Sequence, residues 1–150
     1  MDTKVLSRMQ ALCSRREYCS KDIYDKALKA LDGDAGAAGE ILDSLRADGF
    51  VDDARYARAF ARDKAALGGW GPVKIRFALS AKGIGASVIA GALAEIDEEK
   101  ASGKLASLVQ ARYRTLRGDP DARLKLLRFA LGRGYDYDTV KPVVEEVLRG

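Results

Sequence analysis

The sequence predicts an all-α protein made of three tandem three-helix repeats that form a curved, elongated array. One observation is the composition: of the 150 residues, 47% are hydrophobic and 32% are charged, and the helix formers Ala, Leu, Lys, Arg and Glu are abundant. No run of β-branched residues alternates as a strand would. The other observation is an internal repeat, because Arg-Phe-Ala-Leu occurs at 76–79 and again at 128–131. Repeated helical units of this size stack so that neighbours bury one another's apolar faces.

The period of the repeat follows from this tetrapeptide and the glycine after it. Each copy leads to a glycine, Gly83 or Gly134, and an upstream segment that leads to Gly33 fits the same frame. The frame aligns three leucines at intervals of 51 and 52 residues, namely Leu28, Leu79 and Leu131. We therefore predict repeats over residues 1–51, 52–103 and 104–150.

The first repeat reads as three helices. Residues 5–16 form one amphipathic run, and Ser20 is a good N-cap for a second helix because its hydroxyl can accept an orphan backbone N–H. The stretch 33–39 is rich in Gly and Ala and is a predicted loop. A third helix with an apolar stripe follows and ends at Gly49.

The second repeat begins with a helix that Asp52 or Asp53 caps and that runs to about Leu67. A glycine-rich turn then places Pro72 at the first position of the next helix, where proline is favourable. A short helix over residues 87–96 completes the unit.

The third repeat is predicted to start near Lys104. Its second helix follows Pro120, and Asp136 or Asp138 caps the last helix. Pro142 is expected in or near the first turn of that helix, where its missing N–H does no harm.

Several aromatic residues sit at informative positions. Phe77 and Phe129 follow the helical apolar period, so we expect both in the core. Tyr56 and Phe60 are spaced for packing on one helix face. Trp70 lies between glycines and is either a lid on the core or an exposed group that stacks on a base or a partner.

The composition excludes several classes of enzyme. The chain has no histidine, which removes Ser-His and Cys-His nucleophiles and histidine-ligated metals. It has no glycine-rich phosphate or dinucleotide motif, and no pair of carboxylates stands in an apolar setting that would shift a pKa. Cys13 and Cys19 are too few for a disulfide framework or a structural zinc site. We therefore predict a binding protein that is not an enzyme and has no cofactor or metal.

The hydrophobic residues are dispersed along the chain. The N-terminus opens no apolar leader, and no stretch approaches the roughly 18 apolar residues of a membrane span. We therefore expect a cytoplasmic protein with no membrane partner. Nothing in the sequence suggests an obligate dimer, so a monomer is expected.

Charge is strongly segregated along the chain, although the net charge is only +4. Residues 54–82 carry seven basic groups and one acidic group, and residues 104–133 carry eight and two. The intervening residues 83–103 carry one basic and four acidic groups. This pattern predicts a positive stripe that attracts phosphate backbones or an acidic protein groove. The alternative is a set of solvated helix faces.

Ten basic residues are the candidate binding residues of this stripe. Three of them recur at intervals of three and four and so share one helix face. For Lys82 and Arg133, which lie beside the predicted glycine turns, the alternative role is to stabilise a helix C-terminus. The candidates are Arg55, Arg58, Arg62, Lys74, Arg76, Lys82, Arg123, Lys125, Arg128 and Arg133.

The chain resembles the RecX family of regulatory proteins in the order and spacing of three segments. The run Gly49-Phe50-Val51-Asp52-Asp53, followed by Tyr56-Ala57, resembles part of the family signature. The segment from Gly69-x-Gly71-Pro72 to Lys82-Gly83-Ile84 is similar to its second part. The neighbourhood from Leu127 to Tyr135, with the Val-rich helix after it, resembles the third unit. The resemblance covers roughly residues 10–148.

This resemblance implies a fold of three tandem three-helix repeats and an activity without catalysis. The family is thought to bind the RecA recombinase and its nucleoprotein filament, to lodge in the filament's groove and to limit its growth or activity. The basic surface would then meet DNA, the recombinase or both. Within the signature, we interpret Asp53 as a helix cap and Tyr56 as a packing residue.

Two other functions remain open on the sequence alone. Repeated short helices with glycine turns also suit a general nucleic-acid-binding module, which would bind single-stranded or double-stranded DNA. Against it, no single helix concentrates Arg, Asn and Gln for base readout. The other possibility is a helical-repeat adaptor for an unrelated protein.

Overall fold

The computed structural model of the protein describes residues 1–150 and contains nine α-helices and no β-strand. This confirms the predicted all-α class. In chain order the helices are α1 (Thr3–Arg15), α2 (Ser20–Ala30), α3 (Ala35–Ala47), α4 (Asp53–Ala66), α5 (Pro72–Ala81), α6 (Ala86–Ala94), α7 (Glu98–Arg114), α8 (Ala122–Gly132) and α9 (Tyr137–Arg149).

Each successive set of three helices encloses its own apolar core, as the prediction of three tandem three-helix repeats requires. We call these sets triplet 1 (α1–α3), triplet 2 (α4–α6) and triplet 3 (α7–α9). At the centres of the three cores lie Ile23 and Ile41, Ile75 and Ile89, and Leu126 and Val140. The predicted repeat boundaries stay a prediction, and the one between residues 103 and 104 falls inside α7.

Aspartate caps begin most of the helices. The side chain of Asp52 accepts the backbone N–H of Arg55 at 3.0 Å, and that of Asp136 accepts the N–H of Thr139 at 2.8 Å. Each is one of the two caps predicted for its helix. Pro72 is the first residue of α5, as predicted.

The predicted loop over residues 33–39 is wrong, because α3 already begins at Ala35. Asp34 caps this helix by accepting the N–H of Ala37 at 3.1 Å. The alanines of the stretch favour the helix enough to tolerate its two glycines, each of which costs up to about 1 kcal/mol.

The third triplet begins with a long helix. α7 starts at Glu98, where Asp97 caps it by accepting the N–H of Lys100 at 3.2 Å, so Lys104 lies inside this helix. Pro142 is the sixth residue of α9 and therefore lies inside the helix, beyond its first turn.

The two Arg-Phe-Ala-Leu copies do not occupy the same register. Leu79 is fully buried, whereas Leu131 is 39% exposed and Ala130 is buried in its place. Phe77 is 78% exposed, so its predicted core position is wrong, and Phe129 is only half-buried. The copies are offset by one residue, which turns a side chain by about 100° around a helix. Counting back from Gly83 and Gly134 gives the correct alignment.

Candidate macromolecule-binding surface

Charged and polar side chains make the contact between triplet 1 and triplet 2. The Lys82 ammonium donates to both carboxylate oxygens of Asp22, at 2.8 and 3.1 Å. The Arg55 guanidinium donates to the Glu17 carboxylate and to the carbonyl of Gly49, the latter at 3.0 Å. Two of the ten candidate cations therefore connect triplets 1 and 2, and only the remaining surface of each is available to a partner.

The start of α2 is also held by triplet 2. The side chain of Asp53 accepts the backbone N–H of Ser20 at 2.7 Å, so Asp53 is a link between triplets and not the cap of α4. The N-cap residue of α2 is Cys19, whose side chain is fully buried in the core of triplet 2. The predicted cap role of Ser20 is wrong, and its hydroxyl accepts a hydrogen bond from Arg46 at 3.1 Å.

The ion pair of Asp22 and Lys82 shifts the pKa of both groups. Burial raises the pKa of Asp22, but the hydrogen bond and charge of Lys82 outweigh it, and the pKa ends below its ordinary value of 3.8. The hydrogen bond to Asp22 raises the pKa of Lys82 above 10.5. The lowered carboxyl pKa contributes stability that is lost as pH falls through the folded-state value, and the raised ammonium pKa contributes stability that is lost as pH rises through its own. Both contributions to stability are therefore fully present at pH values between the ordinary pKa of Asp22, 3.8, and that of Lys82, 10.5.

Replacing Asp22 by Asn should weaken this contact. Near neutral pH we expect the free energy of unfolding to fall by about 1 kcal/mol or less, because partly exposed pairs are screened by water. The decline of stability in acid should also become shallower than in the wild type. Urea unfolding near neutral pH and in acid measures both effects. The control is Asp25→Asn, which removes the partner of Lys21 in an exposed pair at 3.6 Å on the same helix. Equal losses in the two variants would contradict a role for Asp22 between triplets.

Triplet 2 and triplet 3 meet through backbone hydrogen bonds. The N–H of Gly71 donates to the carbonyl of Arg133 at 2.7 Å, and the N–H of Val73 donates to the carbonyl of Gly134 at 2.9 Å. The first N–H groups of a helix have no partner within it, so the chain at the end of α8 satisfies the start of α5. The Arg133 guanidinium also donates to the carbonyl of Gly68.

Glycines make this approach possible. A Cβ added at Gly71 would clash with the carbonyl group of Gly134 and would lie 2.6 Å from the N atom of Tyr135. A Cβ at Gly134 would lie 2.7 Å from the N atom of Lys74, and a Cβ at Gly69 would clash with Leu108. The glycines of the signature segment therefore let two backbones come into contact.

Lys82 and Arg133 play equivalent parts in the array. Each is the C-cap residue of the second helix of its triplet. Each side chain reaches the start of the second helix of the preceding triplet, at Asp22 of α2 or at Gly68 just before α5. The end of α8 therefore lies at the start of α5, and the end of α5 lies at the start of α2.

Three further candidates form exposed ion pairs. The Nε atom of Arg58 lies 3.7 Å from Oε2 of Glu95, and the Nη2 atom of Arg123 lies 3.3 Å from Oε1 of Glu145. The Nζ atom of Lys125 lies 2.5 Å from Oδ2 of Asp119. Surface pairs of this kind contribute at most about 1 kcal/mol, so a partner can displace them.

The remaining candidates are more accessible. The Arg62 side chain is 71% exposed and forms an ion pair with the neighbouring Asp63, at 3.3 Å. Lys74 lies 4.5 Å from the centre of the Trp70 ring. Arg76 and Arg128 are exposed and have no ion-pair partner. These two arginines are the cations best placed to bind an anionic partner.

Trp70 packs at the edge of the core of triplet 2. Its ring meets Phe60 edge-on at 6.0 Å, and Phe60 stacks on Tyr56 at 5.9 Å, which confirms the predicted packing of that pair. Two lysines flank the indole: the Nζ atoms of Lys64 and Lys74 lie 4.7 Å and 4.5 Å from the centre of the Trp70 ring. Trp70 is therefore a half-buried lid that the cations cover.

A cleft of about 460 Å³ opens between triplets 2 and 3. Trp70, Val73, Leu93 and Tyr135 are among the side chains that line it. The Tyr135 hydroxyl is buried and has no hydrogen-bond partner.

No group of three or more Cys, Asp or Glu side chains could hold a metal ion. Likewise, no helix has both the length and the apolar run that crossing a bilayer requires.

Sequence reasoning missed the exposed apolar side chains of the second helices. On α5 these are Val73 and Phe77, and on α8 they are Leu124 and Leu131. The helical apolar period predicted Phe77 in the core, and the tetrapeptide aligned Leu131 with Leu79, which is buried. Alignment on Gly83 and Gly134, which end the two helices, would have separated them from the buried positions.

The fold and this surface define a helical-repeat protein whose basic residues spread over two adjoining triplets. The model of the family described as "RecX, second three-helix domain" matches residues 52–93, which span α4, α5 and all but the last residue of α6. A solved structure described as "Crystal structure of regulatory protein RecX" superposes with a TM-score of 0.83 at 28% identity, and the match covers 95% of this chain and 71% of that one. The structure of RecX from Lactobacillus salivarius has the same fold, with a TM-score of 0.84 at 22% identity over 99% of this chain and 97% of that one.

The chain belongs to the RecX family of regulatory proteins. It is 34% identical to the regulatory protein RecX of Clostridium botulinum (strain Eklund 17B / Type B), in a match that covers 97% of this chain and 74% of that protein. It is also 34% identical to the regulatory protein RecX of Acidithiobacillus ferrooxidans, over 89% of this chain and 83% of that one. The family resemblance seen in the sequence is thereby confirmed.

Proposed function

We propose that this protein binds the RecA recombinase and its nucleoprotein filament and inhibits its activity in homologous recombination and DNA repair. It would act in the cytoplasm as a monomer, without a cofactor. Membership of the RecX family supports a regulatory role, and RecA is the partner that the sequence resemblance implies. The observation that carries the proposal is the charge of the second helices: α5 and α8 contain no acidic residue, and each presents an exposed arginine, Arg76 or Arg128.

An extended partner suits this surface better than a small ligand does. The exposed cations are distributed over two triplets and do not converge on one pocket. A nucleoprotein filament repeats along its length and carries phosphates, so a basic face of this kind gains from several weak contacts at once. Because such contacts are electrostatic, binding should weaken as salt is added.

A general nucleic-acid-binding module is the second candidate, and the same exposed cations favour it. Such a module would bind DNA without the recombinase, with an affinity that falls steeply with salt. A filament regulator would act at concentrations far below those needed for binding DNA alone.

The single-stranded-DNA-dependent ATPase activity of RecA separates the two candidates. We expect the activity to fall when far less than one copy of this protein is present per recombinase, because a regulator that stops filament growth affects many subunits. Inhibition that appears only when the protein covers the DNA would favour the general module. No effect in excess protein at low salt would contradict the proposal.

Reversing the charge of Arg76 and Arg128 should weaken binding to the filament. We expect a loss of about tenfold or more in affinity for the double variant Arg76→Glu, Arg128→Glu, together with a smaller dependence on salt. The matched control is Arg8→Glu, Lys29→Glu, in which two exposed cations of triplet 1 are reversed. Both variants lower the net charge from +4 to zero. Titration of a fluorescently labelled chain with filament, at two salt concentrations, measures the affinities. Equal losses would mean that only net charge matters, against a role for α5 and α8.

A further inference from the structure

We infer that the exposed apolar side chains of α5 and α8 form a protein-docking ridge for a segment of the recombinase that carries both carboxylates and apolar side chains. The inference rests on the proposed function and specifies which component of the filament this face binds. The ridge consists of Val73, Phe77, Leu124 and Leu131.

The four side chains are exposed and lie at helical spacing on the two helices. Phe77 is 78% exposed, Val73 53%, Leu124 47% and Leu131 39%. Single exposed apolar residues are ordinary on a protein surface. Here Val73 and Phe77 lie four residues apart and share one face of α5, and Leu124 and Leu131 lie seven apart and share one face of α8.

One position of the ridge recurs in the two triplets. The buried residues Ile75 and Leu126 align, so Val73 corresponds to Leu124, and both are exposed aliphatic side chains. The hydrogen bond from the N–H of Val73 to the carbonyl of Gly134 connects the start of α5 to the chain just after α8. Leu131 lies three residues before Gly134, so the apolar positions continue from one helix towards the next.

Two cations beside the ridge suit a protein segment that carries carboxylates. Arg123 and Lys125 are already paired with Glu145 and Asp119. Arg76 and Arg128 have no such partner and can bind carboxylates next to the ridge.

The side chains themselves exclude base stacking as the main use of the ridge. Single-stranded nucleic acid is bound by aromatic side chains that stack on successive bases. Three of the four ridge residues are aliphatic and offer no ring, and Phe77 is the only aromatic among them. Aliphatic surface gains free energy only when other apolar groups cover it, and a protein segment supplies such groups.

The test compares a polar variant with one that keeps the apolar surface. We expect Val73→Ser, Phe77→Ser to bind RecA filaments on single-stranded DNA about 30-fold more weakly than the wild type, the size of effect seen when the main anchors of an interface are removed. Binding to the same DNA without RecA should stay within about twofold. The control Val73→Ile, Phe77→Leu keeps the apolar area but removes the aromatic ring, and it should bind both partners within about twofold of the wild type. Circular dichroism and urea unfolding should be nearly unchanged, because both positions are exposed.

The outcomes separate this inference from the proposed function. If the wild type binds the filament and the serine variant binds it equally well, the ridge is not the docking surface and the proposed function stands. If both variants lose affinity for DNA alone, Phe77 stacks on bases and the surface binds nucleic acid. If the wild type does not bind the filament, both proposals fail. A second variant, Leu124→Ser, Leu131→Ser, should also weaken filament binding, and no loss there would limit the ridge to α5 and contradict its extension to α8.

Discussion

Replacing Leu79 by Asp should unfold triplet 2, whereas the same replacement at Leu131 should leave the fold intact. Both leucines end an Arg-Phe-Ala-Leu tetrapeptide, but Leu79 is fully buried and Leu131 is 39% exposed. A carboxylate at position 79 would lose its water among apolar neighbours and gain no cation, which we expect to cost more than about 4 kcal/mol. At position 131 the carboxylate would keep its water, and the cost should be about 1 kcal/mol, part of it from an anion in the last turn of α8.

Helicity by circular dichroism and the urea midpoint would distinguish the two variants. The pair is its own control, because the four-residue context and the chemical change are identical and only the burial differs. Loss of helicity in both variants would contradict the one-residue offset between the two copies. Loss in neither would contradict the burial of Leu79.

Local signals in the sequence were sufficient to predict the starts of α4, α5 and α9. Asp52 and Asp136 lie just before α4 and α9, and the side chain of each accepts the backbone N–H of the third residue after it. Pro72 is the first residue of α5. Such signals act over one turn and can be read directly from the chain. The prediction failed where two local tendencies competed, as in residues 33–39, where alanine and an aspartate cap outweighed the glycines at positions 36 and 39.

The identity of the core residues required more than a repeated motif. Arg-Phe-Ala-Leu is the same in both copies, but a helix presents a different side chain to the core after a shift of one residue. The positions that fix the register are the buried Ile75 and Leu126, together with the glycines that end the two helices. A short identical segment therefore locates the repeated helix in the sequence, but it does not show which side chains of that helix face the core.

The sequence predicted which basic residues form the candidate site, but not what each of them does in the structure. Sequence alone identified the ten cations, but which of them are available depends on contacts between residues that are far apart in the chain. Lys82 meets Asp22 across 60 positions, and Arg133 meets Gly68 across 65. No periodicity within a helix carries this information, because each pair forms only when the triplets stack. For the same reason, Arg55 could not be separated in advance from Arg58 and Arg62.

Replacing Gly71 by Ala should disrupt the contact between triplets 2 and 3. The added methyl group would collide with the carbonyl group of Gly134, and backbone atoms cannot move aside as a flexible side chain can. The hydrogen bonds that Gly71 and Val73 donate to Arg133 and Gly134 would then lengthen or break. We expect the free energy of unfolding to fall by about 3 kcal/mol, at the upper end of the usual cost of overpacking. Binding to the filament should also weaken, because α5 and α8 would no longer be held end to end.

Gly85→Ala is the matched control for this variant. Gly85 is the N-cap residue of α6 as Gly71 is of α5, and both have extended backbone angles, with φ of −70° and −86°. A Cβ at Gly85 would have no atom within 4 Å, so this change should cost less than about 1 kcal/mol. Urea unfolding of the two variants measures the difference, which comes from the contact with Gly134 because the capping position and the chemical change are the same. If Gly71→Ala were no more destabilising than Gly85→Ala, the two backbones would not be in contact in solution. The glycines of the signature segment would then serve only the turn before α5.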